Sequence, residues 1–309
     1  FMHTASPRQG SFRKRIYRDR HLILMSIPAV AFYLIFSYIP MTGIVIAFKN
    51  FQPGLGLYTG EWVGMKWFNR FFSSVYFERL LRNTFLLSFY SLLFGFPVPI
   101  LFALCISEVR NIRVKRAIQT ISYLPYFFST VIVVGMVRNF LSLNDGIVND
   151  IIEMLGGERI NFFMRADWFR TIYVCTSIWQ HFGFSSIIYI AAIIGISPEL
   201  YESASLDGIN KFQEVWYITL PMIKPTVLIL FLLEIGNLMS VGYERVYLMY
   251  NPSTYETADV ISTYVYRQGI EMTKYSFSAA IGLFNSVMNF AFVFTANCIT
   301  KKMTNSSLW

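Results

Sequence analysis

The sequence predicts an all-α integral membrane protein with six transmembrane helices and both termini in the cytosol. Three observations carry that expectation. The 309 residues are 55% hydrophobic and only 14% charged, with a mean hydropathy of +0.47, whereas a soluble domain carries about 25% charged residues. The apolar residues gather into runs long enough to cross about 30 Å of hydrocarbon. The basic residues are densest in short segments flanking alternate runs, the bias of cytosolic loops. The net charge of +8 is accordingly read as a cytosol-facing membrane surface rather than a nucleic-acid footprint.

Residues 1–21 form a basic cytosolic segment, with Arg8, Arg13, Lys14, Arg15, Arg18 and Arg20 set against Asp19, suited to lying along anionic headgroups. The run 22–39 is the first span. It is longer than a signal-peptide core and lacks a small-residue cleavage site, so it is expected to remain in place. In the mixed stretch that follows, Phe68, Phe71, Phe72, Tyr76 and Leu80 recur at helical spacing. They predict an amphipathic helix that lies at the outer interface or packs against the bundle.

The second span, 85–106, is kinked where Pro97 and Pro99 remove backbone donors. Arg110, Arg113, Lys115 and Arg116 make a second cytosolic basic cluster before a third span, 118–137, with Pro125 near its start. An outer segment holds a short helix over 148–155, stopped by Gly156 and Gly157. The fourth span is 172–196, ended by Pro198, and the fifth is 225–241. A tyrosine-rich outer loop, 242–275, leads to the sixth span, 279–299, and a cytosolic tail, 301–309, that opens on Lys301 and Lys302. The transmembrane domain thus runs from 22 to 300. Cys105, Cys175 and Cys298 lie in apolar runs and are expected to be buried as small hydrophobes, without disulfides. His3, His21 and His181 are too scattered to make a multi-histidine metal site.

Between the fourth and fifth spans, residues 199–221 are conspicuously polar. Glu202 to Leu206 suit a short helix, Gly208 supplies the positive φ of a helix end, and a second helical turn follows through Phe212, Val215 and Trp216. Pro221 then falls in the first turn of the next long helix. On the residues alone this is a helix–turn–helix knob or an ordinary polar loop.

Covalent chemistry finds no support. There is no G-x-x-x-x-G-K-[ST] loop for nucleotide phosphates, no H-E-x-x-H zinc pair and no G-x-S-x-G elbow. Gly183-Phe184-Ser185-Ser186 has no placed base. Cargo handling needs polar groups and flat aromatic faces inside an apolar bundle. Glu234 stands thirteen residues past Pro221, roughly 20 Å along a helix at 1.5 Å per residue, near the bilayer midplane, where an ionisable group marks a pathway or a buried partner. Asn237 shares its face. Asn285 and Asn289, four apart on the sixth span, suit hydroxyl binding or amide bonds between helices. Trp179 and His181 on the fourth span are a stacking platform and a polar contact, or a core tryptophan and a structural histidine.

The 202–221 stretch spells E-x-A-x-x-D-G-x(9)-I-x-L-P through Glu202, Ala204, Asp207, Gly208, Ile218, Leu220 and Pro221. This resembles the coupling-loop signature of permease subunits in binding-protein-dependent ABC importers; Ser203 and Ile209 depart from it, standing where alanine is usual. Tyr38 to Phe48, Asn111 to Pro125, Tyr264 to Arg267 and Ala280 to Phe284 resemble permeases of the polysaccharide/aldouronate type, so that the likeness covers nearly the whole chain from Arg18. The resemblance implies a type I ABC importer permease with a cytosolic coupling helix, in the bacterial inner membrane. It implies that Glu202, Ala204, Ser205, Asp207, Gly208, Phe212 and Pro221 meet an ATPase; the polar and aromatic residues read above, Glu234, Asn237, Asn285, Asn289, Trp179 and His181, are the candidates for the substrate pathway of such a permease. It further implies a second homologous permease, two ATP-binding subunits that hold ATP and Mg, a solute-binding protein and a saccharide cargo, with no cofactor in this chain. A different solute, such as an amino acid or glycerol phosphate, and an integral-membrane enzyme using Glu234 and His181 as an acid–base pair stand as the alternatives.

Overall fold

The structure, a computed structural model, describes residues 19–56, 59–236, 238–239 and 241–304. The basic residues up to Arg18, Asn237 and the last five residues lie outside that set. Thirteen helical elements organise the described chain: α1 (Arg20–Phe48), α2 (Lys66–Phe72), α3 (Phe77–Ser107), α4 (Ile112–Phe127), α5 (Thr130–Phe140), α6 (Ile147–Met154), α7 (Ala166–Ile194), α8 (Pro198–Leu206), α9 (Lys211–Gly236), α10 (Tyr243–Met249), α11 (Tyr255–Ala258), α12 (Ile261–Tyr266) and α13 (Tyr275–Thr304). A two-stranded antiparallel ribbon, β1 (Lys49–Asn50) and β2 (Glu61–Trp62), follows α1.

Among the described residues, α1, α3, α7, α9 and α13 are long and apolar enough to cross a membrane, and α4 with α5 makes a sixth crossing if that bent pair counts as one span. The prolines set the shape of α3: its two halves, Phe77–Gly95 and Pro97–Ser107, meet at Phe96, immediately before Pro97. Helix α7 is the central post, packed against α3, α4 and α9. Its contact with α4 is unusually close, because a Cβ added at Gly183 would fall 2.0 Å from the Ser122 carbonyl oxygen. Small residues at helix crossings serve this purpose in membranes, where apolar side chains gain nothing by leaving lipid.

Several expectations are corrected. The third span is not one helix over 118–137: α4 and α5 meet at 104°. Pro125 opens a 3₁₀ turn, Phe128 is extended, and the Ser129 side chain caps α5 by accepting from the Ile132 N–H. The fifth span starts at Lys211 and ends at Gly236 rather than covering 225–241. Pro221 falls in the first turn of the α-helical segment Leu220–Gly236, but that segment continues from the knob through a π turn, Val215–Thr219, in which the Leu220 N–H reaches back to the Val215 carbonyl. The amphipathic stretch is split at Ser73–Tyr76 into α2 and the start of α3, and packs inward: Phe71 and Leu80 are buried with Phe277 and Ile281 of α13. The stretch 242–275, expected as an outer loop, contains α10 to α12. The three cysteines are exposed at the chain's surface, since the outward faces of spanning helices are as apolar as their inner ones. The short helix before Gly156 occurs as α6, and Gly156 has φ +84°.

Candidate functional site

Two features separate from the packed bundle, a projecting knob and an internal cavity. The knob is α8, the turn at Gly208, and the first turns of α9. Ala204 is buried against the bundle while Leu206, Phe212, Trp216 and Tyr217 are 59–88% exposed, with the Phe212 and Trp216 rings parallel at 6.4 Å. Gly208 adopts φ +74°, where a side chain is disfavoured. This turn lets the N–H groups of Gly208 and Ile209 bond back to the Ser205 and Ala204 carbonyls. Asn210 starts α9 with a capping box: its side chain accepts from the Gln213 N–H, and the Gln213 side chain accepts from the Asn210 N–H. Lys211 pairs with Glu214 at 2.7 Å and reaches Glu108, at the end of α3, at 3.4 Å. The Tyr201 hydroxyl lies 3.1 Å from that of Thr219. The expected turn chemistry is present.

The cavity, of about 710 Å³, opens between α3, α7 and α9. Its polar lining comes from Ser88 and Ser91 of α3, Tyr126 of α4, Tyr173, Ser177, His181, Ser185 and Tyr189 of α7, and Glu234 of α9. Ser91 Oγ is buried without a partner. The Tyr126 ring stacks on Phe184 at 3.9 Å and meets His181 edge-on, making a flat aromatic wall. His181 Nδ1 lies 2.9 Å from the Ser177 carbonyl, which orients the ring. Glu234 is the one carboxylate among the described lining residues, and no arginine or lysine joins it.

Of the residues singled out in the sequence, Glu234 and His181 line this cavity. Trp179 does not; it is 38% exposed on another face of α7. Asn285 and Asn289 do not line it either. Asn289 Oδ1 accepts the Met239 N–H at 2.8 Å, tying α13 to the end of α9, and Asn285 Oδ1 is buried without a partner. Asn237 lies outside the described residues. Tyr126, Tyr173, Tyr189 and the serines were not anticipated. One signal for them is present in the sequence: Ser177, His181 and Ser185 recur every four residues, a polar stripe on an apolar helix.

Behind the cavity wall a polar network crosses three elements. Arg245 of α10 is 8% exposed; its Nη2 donates to Gln180 Oε1 at 2.5 Å, and Gln180 Nε2 donates to the Phe128 carbonyl at the α4–α5 bend. Burial pulls the Arg245 guanidinium below the ordinary arginine value. A second network lies at the end of the bundle away from the knob. Asp259, wholly buried, meets Arg267 at 2.6 Å and Arg79 at 3.5 Å. Although burial opposes its charge, Arg267 is held above its ordinary value by the Asp259 carboxylate.

Comparison with known proteins gives this geometry a context. The family model for binding-protein-dependent transport system inner membrane components matches residues 84–305. The chain is 44% identical over 299 residues to protein LplB of Bacillus subtilis strain 168, covering 97% of this chain and 94% of the relative. It is 41% identical over 295 residues to the polygalacturonan/rhamnogalacturonan transport system permease protein YteP of the same organism, covering 96% and 92%. Among solved structures it is similar to a chain of a bacterial ABC transporter involved in the import of the acidic polysaccharide alginate, with TM-score 0.88, 45% identity and coverage of 96% of this chain and 100% of that one. It is similar also to a chain of the bacterial alginate ABC transporter in complex with an alginate pentasaccharide-bound periplasmic protein, with TM-score 0.89, 43% identity and coverage of 97% and 100%.

Proposed function

This chain belongs to the family of binding-protein-dependent transport system inner membrane components, and from that premise we propose that its cargo is an acidic oligosaccharide handed over by a solute-binding protein. The chain is a multi-pass permease subunit of an ABC importer for oligosaccharides, a transport component rather than an enzyme. The acidic cargo is supported by relatives that carry polygalacturonan, rhamnogalacturonan and alginate in their names. A wall of hydroxyls and flat aromatic rings suits saccharides, which offer hydroxyl rims and apolar ring faces.

The observation that carries the mechanism is that α9 runs as one continuous helix from the knob to the cavity. Phe212 at the knob's apolar tip and Glu234 in the cavity wall sit on one continuous helix, roughly 33 Å apart along it at 1.5 Å per residue. In this proposal the knob faces the cytosol, with both termini on that side, and seats Leu206, Phe212 and Trp216 in a cleft of an ATP-binding subunit. A second homologous permease completes the cavity, and two ATP-binding subunits hold the ATP and Mg that this chain does not. Rotation of the knob then tilts α9 and reshapes the cavity wall.

The test is uptake by the full importer in proteoliposomes, driven by internal ATP and supplied with loaded binding protein. ATP-dependent accumulation of a labelled oligouronate, above that of an amino acid or glycerol phosphate, is expected. Accumulation of one of those small solutes instead would overturn the cargo assignment, and uptake that needs no binding protein would overturn the handover.

A further inference from the structure

The cavity poses an electrostatic problem for the cargo proposed above, on which this inference rests. A uronate entering it meets the Glu234 carboxylate and no lysine or arginine among the described lining residues. A positive charge does lie directly behind the wall. Arg245 is nine-tenths buried, and its guanidinium sits over the ring of Tyr173, a lining residue, at 5.6 Å. Its neighbours Val241 and Gly242 line the cavity too.

Arg245, like Arg170 against Asn83, is held by a neutral amide rather than by a carboxylate, and of the two it is Arg245 that stands behind the cavity wall. Arg267 and Arg79 share the Asp259 carboxylate, and Arg159 is bracketed by Asp150 and Glu153. No carboxylate pairs with Arg245 among the described residues. Its Nη2 donates to the neutral Gln180 amide and it hydrogen-bonds the Tyr173 side chain, while Glu244, beside it on α10, is felt as a charge without reaching ion-pair distance; its Nε is buried without a partner. A buried guanidinium with no carboxylate at ion-pair distance is costly, and its field is poorly screened because little water surrounds it. Gln180 is fixed in turn by the Phe128 carbonyl, and so presents a fixed acceptor to the guanidinium.

We propose that Arg245 is a specificity-determining residue for anionic cargo: held by Gln180 against Tyr173, it supplies across the cavity wall the positive charge that offsets Glu234 and balances a uronate. It acts through the wall and not as a direct ligand, so its charge matters more than its shape.

The experiment uses the complete importer in proteoliposomes and reads oligouronate uptake and ATP hydrolysis stimulated by the loaded binding protein on the same preparation. In Arg245→Met, uptake is expected to fall about tenfold, the lower range for a focused field in a cleft, while stimulated hydrolysis is retained. Arg245→Lys should restore uptake. So should adding Glu234→Gln to Arg245→Met, since deleting the opposing carboxylate rebalances the cavity. A structural arginine would not be rescued by a substitution on α9. Unchanged uptake in Arg245→Met, or joint loss of uptake and hydrolysis that neither Lys nor Glu234→Gln relieves, overturns the proposal. So does failure of Arg245→Met to assemble if Arg245→Gln also fails. The wild-type arm is separate: a preference for a neutral oligosaccharide over the oligouronate would overturn the cargo assignment itself, whatever the variants do.

Discussion

The hydroxyls of Tyr201 and Thr219 meet at 3.1 Å and tie the two arms of the knob together across eighteen residues of chain. Thr219 is buried and lies in the π turn that leads into the long apolar part of α9. In the proposed mechanism the brace couples α8 to α9. Tyr201→Phe removes it while leaving the ring packed. We expect the protein to assemble normally, with a stability loss of about 1 kcal/mol at most, and to transport fewer cargo molecules per ATP hydrolysed. A transport-to-hydrolysis ratio equal to the wild type would show that the brace is not part of the linkage.

Gly208 tests the turn itself. At φ +74° a β-branched side chain is sterically disfavoured, at a cost of roughly 1–2 kcal/mol, and no neighbouring atom lies close enough to explain a further effect. Gly208→Val should therefore insert and pack as the wild type does, yet lose uptake because the knob changes shape. Membrane fractionation with uptake checks both halves; normal uptake would count against the turn's role.

Gly183 tests the central crossing. With a Cβ only 2.0 Å from the Ser122 oxygen, even Gly183→Ala must push α4 away from α7, and overpacking of this kind costs about 1–3 kcal/mol. We expect a lower melting temperature in detergent and faster proteolysis between α4 and α5. An unshifted melting temperature would mean that the two helices separate freely.

Asp259 anchors the opposite end of the bundle. Besides its two arginines, it accepts from the Thr263 hydroxyl, and Asn83 Nδ2 binds the Glu256 and Asp259 carbonyls. Asp259→Asn leaves Arg79 and Arg267 without their carboxylate, and breaking a buried pair on one side costs about 3–5 kcal/mol. The stretch 255–267 should become protease-sensitive, with binding-protein-dependent uptake falling before basal ATP hydrolysis does. Replacing Asp259 together with both arginines by apolar residues should recover much of the stability.

Much of this was legible from residues alone, for identifiable reasons. Apolar run length marks spanning helices because lipid leaves the backbone no other way to bond. The knob was legible because its turn depends on local chemistry, a glycine at positive φ followed by an asparagine cap. The α4–α5 bend was not: Pro125 announces a break, but at the 104° bend the Phe128 carbonyl accepts from Gln180, a contact across 52 residues that no local pattern announces. Nor was the orientation of Trp179 relative to His181, two residues along, because a helix facing lipid and a helix facing protein are equally apolar.

Composition and run length were enough to establish a multi-pass membrane protein with a projecting turn, since each rests on short-range rules or on the solvent, and the resemblance of its 202–221 stretch pointed to a permease. Folding alone decided which polar side chains share a cavity, that one continuous helix runs from the knob to it, and that Arg245 stands behind its wall held by a neutral amide. Those outcomes depend on how helices rotate against one another, and in a membrane that rotation is set by close packing and polar pairing between distant residues rather than by hydrophobic pattern.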